Sequence, residues 1–91
     1  MKQIVMERAV LNPMKDPSKW VGGWAGIMQT PEDVFVLQAR TCTVTGELLC
    51  VLTVQTVHGI EVVCSWWSTR QNVEREMTSL MQFPVEVVWP Q

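Results

Sequence analysis

The sequence predicts an α+β fold: a mainly antiparallel sheet of four to five strands, with one major C-terminal helix packed on one face. Three observations predict it. Residues 47–67, ELLCVLTVQTVHGIEVVCSWW, alternate an apolar set with a mixed set on both sides of His58-Gly59, the pattern of a β-hairpin. Residues 33–45, DVFVLQARTCTVT, keep the same period of two and run into a second turn at Thr45-Gly46. Beyond Trp67 the period lengthens, and Val73, Met77, Leu80 and Met81 form one helical stripe.

The elements follow in order. Residues 2–11 are expected to open the sheet, with Ile4 and Met6 on one face until Arg8 interrupts them. Residues 12–18, NPMKDPS, contain Pro13 and Pro17 and read as a loop, because proline removes a ladder donor. In residues 19–29, Trp20 and Trp24 stand at helical spacing. Gly22, Gly23 and Gly26 would each cost a helix interior about 1 kcal/mol, so an irregular or short extended segment is expected. Thr30-Pro31-Glu32-Asp33 reads as a turn.

Turn chemistry sets the expected register. A three-residue loop, Val57-His58-Gly59, opposes Val54 to Val62, Leu52 to Cys64 and Cys50 to Trp66, with Gly59 supplying the positive φ. Pairing Val44 with Glu47 opposes Ala39 to Leu52 and Leu37 to Val54. Both turns place Phe35, Leu37, Ala39, Leu48, Cys50, Leu52, Val54, Ile60, Val62, Cys64 and Trp66 on one apolar face, which the helix should cover. Ser68 with Gln71 has capping-box spacing, and Arg70 with Glu74 forms an ion pair four residues apart. Phe83-Pro84 ends the helix. Residues 85–89 then form a last strand with Val85, Val87 and Trp89 on one face, placed by a right-handed crossover parallel to residues 60–67.

Size and charge narrow the function. Ninety-one residues, 47% hydrophobic and 18% charged, make a single globular domain spanning 1–91. A net charge of −2 offers no basic footprint for nucleic acid. The longest uncharged run, residues 20–30, is too short and glycine-rich to span a bilayer, so no membrane contact is expected. MKQIVMERAV does not read as a signal peptide, and a cytoplasmic location is the expectation.

No constellation carries chemistry. Cys42, Cys50, Cys64 and His58 have zinc-ligand types but no C-x-x-C pair, and His58 at the hairpin tip lies about 20 Å along the strand from Cys64. Cys50 and Cys64 are diagonal, roughly 7–8 Å apart, so reduced thiols are expected. A single His, with no acid before Glu61, makes neither a triad nor a Cys–His pair. WVGGWAG lacks the lysine and the hydroxyl of a phosphate loop. No catalytic residue, metal ligand or cofactor is assigned, and the chain reads as a non-enzyme.

The informative feature is the second sheet face. It carries Leu49, Val51, Val63 and Trp67 among Gln38, Arg40, Thr53, Gln55, Glu61 and Ser65, with Val34, Val36 and Cys42 nearby, and one helix cannot cover both sides of a sheet. Residues 20–28 folding back, a second copy, or a ligand or foreign protein would each cover it. The expected role is an interaction module, a homodimer or a binder of a protein partner, with Trp67, Val51, Val63, Leu49 and Arg40 as contact residues. The alternative is a small-molecule binder or a minor enzyme, with Trp20, Trp24 and Arg40 lining a pocket between residues 20–28 and the sheet.

Overall fold

The computed structural model describes all 91 residues. Its strands are β1 (Lys2–Val5), β2 (Glu7–Arg8), β3 (Trp20–Gln29), β4 (Val34–Cys42), β5 (Leu48–Thr56), β6 (Gly59–Ser68) and β7 (Val85–Val88). One helix, α1 (Arg70–Met81), separates β6 from β7, and a 3-10 turn, Pro17–Lys19, precedes β3. Strands β2 to β6 form an antiparallel sheet in sequence order, while β1 and β7 form a parallel pair. The expected class is the observed one: an antiparallel sheet of five strands with one C-terminal helix.

Parity explains the core. Leu37 faces Leu52, Ala39 faces Cys50, and Leu52 faces Cys64, so consecutive strands send their apolar residues to one side. Leu37, Ala39, Cys50 and Leu52 join Ile4, Met6, Trp24, Met28, Leu48 and Val85 around Val73 and Met77 of α1. Phe35, Trp66, Met81, Val87 and Trp89 pack at its margin. Each large aliphatic side chain sealed there contributes about 1.5–3 kcal/mol of burial. The expected β4–β5 register is two residues off, because the loop is longer: the Cys42 N–H bonds the Glu47 carbonyl, leaving residues 43–46 as the turn. A shift of two keeps every side chain on its face.

Four expectations change. First, residues 20–29 are not irregular but a ten-residue strand paired with β4, with a bulge between Val21 and Trp24. Its glycines serve close approach: a Cβ on Gly26 would lie 2.5 Å from Ile4 Cγ2, and one on Gly23 2.5 Å from the Ala9 carbonyl oxygen. Second, β7 is parallel to β1, with Ile4 facing Val87, and does not pair with β6. The chain crosses under the sheet on α1 and reaches the opposite margin, which leaves β6 as an open edge.

Third, the 56–59 turn contains only Val57 and His58, so Thr56 faces Gly59 and Thr53 faces Val62. A bulge between these pairs and Leu52–Cys64 absorbs one extra residue, Val63. Val62 and Ile60 therefore stand on the second face, opposite to the side expected of them. Fourth, α1 starts differently. Thr69 is its N-cap, without a side-chain cap bond, and the Ser68 hydroxyl instead donates to Glu76 Oε1. Arg70 does not pair with Glu74: its guanidinium lies 4.8 Å above the Trp24 ring and 5.1 Å from that of Trp89. Glu74 accepts the Val87 N–H instead, and Leu80 of the expected stripe is exposed.

Candidate functional site

The second face of the sheet can be described row by row. Ile27 faces Val36, Val36 faces Thr53, and Thr53 faces Val62, one unbroken line across β3, β4, β5 and β6. A parallel row runs Gln29, Val34, Gln55, Ile60, and another runs Ala25, Gln38, Val51, Ser65. These three rows of four contain no charged side chain. β-Branched residues and Thr hold the pleat locally, and the Thr53 hydroxyl also reaches the Val36 carbonyl at 3.4 Å.

One end of this face is covered and the other is open. At the covered end Leu49 lies between Arg40 and Trp67 in the next row, and the Trp67 ring stacks on Trp20 with centroids 5.8 Å apart and planes 12° from parallel. The loop before β3 fastens down over that end. Arg40 Nη1 donates to the Asn12 carbonyl at 2.9 Å, and the Thr43 hydroxyl donates to the Ser18 carbonyl at 3.2 Å. Beyond it Ile27 is 63% exposed, Val62 67% and Ile60 73%, while Val34, Val36, Val51 and Thr53 between them are half-buried.

The expected contact residues are thus partly gathered. Trp67, Leu49, Val51 and Arg40 share the second face, with Leu49 and Val51 half-buried and Arg40 occupied by the Asn12 carbonyl. Val63 is the bulge residue and half exposed. Ile27, Val36, Ile60 and Val62 complete the open rows. Val36 stands on the face that alternation predicts for it, whereas Ile27 depends on β3 being a strand and Ile60 and Val62 on the bulge, neither of which alternation alone predicts. The absence of charge from residues 25–29 is the signal that points to Ile27.

The alternative ligand set is not brought together. Trp20 and Arg40 lie on the second face, whereas Trp24 faces Ala39 in the core and is 7% exposed. Residues 20–28 are part of the sheet, so no pocket forms between them and it. The largest depression, about 480 Å³, lies where β1 and β2 climb beside β3 and is lined by Val5, Glu7, Arg8, Ala25, Ile27 and Val36 among others. It continues the open rows.

Elsewhere the polar groups are structural. Glu76 Oε1 accepts the Trp66 indole N–H at 3.1 Å and the Ser68 hydroxyl, tying α1 to β6. His58 is exposed at the hairpin tip, its backbone N–H bonded to the Thr56 hydroxyl. The three cysteines are free, with Cys42 and Cys50 buried, and no three His, Cys, Asp or Glu side chains converge as a metal site would require. No helix is long and apolar enough to cross a membrane. No protein-family model matches the sequence, and no match is found among curated proteins or solved structures.

Proposed function

We propose that this chain is a small non-enzymatic interaction module, working through protein contacts on the second face of its sheet. One observation carries the reading: three charge-free rows across four strands lie open, with Ile27, Ile60 and Val62 each more than half exposed. Apolar side chains singly exposed are ordinary on any surface. A contiguous patch spanning four strands is not, and patches of this kind mark contact sites.

Position-specific photo-crosslinking in the producing cell tests it. A photoreactive phenylalanine analogue at position 62 or 36 should yield a protein adduct of defined mass. The same analogue at position 74, on the outer side of α1, should yield none. Equal labelling from all three positions, or none from 62 and 36, would sink the reading.

A further inference from the structure

Two open features compete as the contact, the β6 edge and the second face, and the geometry separates them. An unpaired edge recruits another strand through its free N–H and C=O groups, and a bulge blunts that by twisting the edge and breaking its spacing. β6 carries its bulge at Val63, near its middle, which divides its edge into two short halves out of step with one another. The face has no such interruption within its rows.

The chemistry of the face then selects its occupant. A nucleic acid, an acidic peptide or a basic one would need clustered charged side chains to read it, and the rows meet only Glu7, at the β2 end of one of them. Flat, uncharged rows of Val, Ile, Thr, Gln, Ala and Ser fit the pleated face of another sheet, and two sheets pack face to face at about 10 Å with such side chains interdigitating. Extent agrees. Ile27, Ile60, Val62, Val63 and Trp67 together expose roughly 500–600 Å² of mainly apolar surface, at the upper end for a free monomer. With the polar residues between them the rows approach the ~800 Å² that each partner buries in a stable complex. The face carries one acid, Glu7 beside Ala25, and one base, Arg40 beside Leu49, both outside the rows of four, so its own copy meets no net charge there although the whole chain carries −2.

We infer that the second face closes against the same face of a second copy of this chain, sheet on sheet, in a two-fold dimer. This rests on the interaction reading above and names its partner. In such an isologous contact each substitution occurs twice, so one added carboxylate per chain buries two.

Sedimentation equilibrium on the full chain, from about 1 to 300 μM, tests it together with Val62→Glu and Val36→Glu. The expected result is a dimer mass for the parent chain and at least a 100-fold weaker association for each variant, with unchanged far-ultraviolet circular dichroism. Should either variant misfold, amide chemical shifts of the parent chain decide instead. Concentration-dependent shifts should centre on Ile27, Val36, Val51 and Val62, and shifts confined to Glu61–Ser68 backbone groups would place the contact on the edge and overturn the inference. A monomer throughout, or a dimer indifferent to both substitutions, also overturns it. A monomer whose position-62 adduct contains a foreign protein removes the second copy and leaves the interaction reading standing. A monomer with no adduct removes both.

Discussion

Ile27 and Met28 are adjacent in the chain, yet the first is 63% exposed and the second 1%. The same contrast repeats at Val36 beside Leu37 and at Thr53 beside Leu52, because alternate residues of one strand belong to opposite faces. Both faces are rich in apolar side chains; only one has a cover. Helix α1, with Ile4 of the first strand, Met6 just after it and Val85 of the last strand, seals the face of Leu37 and Leu52. Nothing in this chain does so for the rows of Ile27 and Val62. Burial here is decided by what lies opposite a residue, and not by how apolar that residue is.

The largest effect should come from removing volume on the sealed side. Leu52 is fully buried between Leu37 and Cys64, so Leu52→Ala loses its transfer energy and leaves a cavity. A loss of about 2–5 kcal/mol is expected in urea unfolding. Val62→Ala on the open side should cost less than about 0.5 kcal/mol, measured at a concentration where the chain is monomeric. Similar losses at both positions would erase the distinction between the faces.

Adding volume should give the next effect. Gly26 pairs with Leu37, and a methyl group there would lie 2.5 Å from Ile4 Cγ2 and 2.9 Å from the Val5 carbonyl oxygen. The carbonyl belongs to backbone and cannot swing aside, so Gly26→Ala should destabilise by about 1–3 kcal/mol. Gly46, in the turn after β4, has open space around it and only its φ of +77° to lose. About 1 kcal/mol is expected for Gly46→Ala, from the left-handed backbone alone. Thermal melts of the two variants rank them, and the reverse order would mean that β1 does not approach β3 as described.

These two pairs also show what was legible beforehand. Leu37, Ala39, Cys50 and Leu52 were assigned to one face from alternation, and they share it, because a two-residue error in the turn leaves parity intact. The stripe of Val73, Met77 and Met81 was equally readable from its period. Gly26 argues against a helix in the sequence, yet it permits a crossing by β1, and periodicity within one segment carries no information about which distant strand will cross it. The partner of β7 was opaque for the same reason. Val62 went to the wrong face because a bulge inserts one residue without changing the pattern of apolar letters. The candidate contact face was therefore half visible: Trp67, Leu49 and Val51 from parity, Ile27 and Val62 only from coordinates.

The smallest effect concerns two thiols on opposite faces, and it is silent at neutral pH. Burial in the core, with the Glu76 carboxylate adding to it, pushes the Cys50 thiol up to about 12. Cys42 lies on the second face, where the backbone N–H and hydroxyl of Thr45 and the Val44 N–H favour its thiolate and hold its pKa below the usual thiol value. The signs are opposite. Folded Cys50 keeps its proton where the unfolded chain has lost it, so its contribution is fully present below about pH 9 and is lost as the pH rises from there towards 12. Cys42 favours the fold only once its thiolate forms, so its contribution is complete above the usual thiol pKa and fades as pH falls through its lowered value. Urea midpoints under reducing conditions should therefore fall above pH 9 more steeply in the parent chain than in Cys50→Val, while the difference between them stays constant from pH 6 to 8. Parallel alkaline slopes would mean that Cys50 reaches water, and the covered face would then be less tightly sealed at its centre than Leu37 and Leu52 on either side imply.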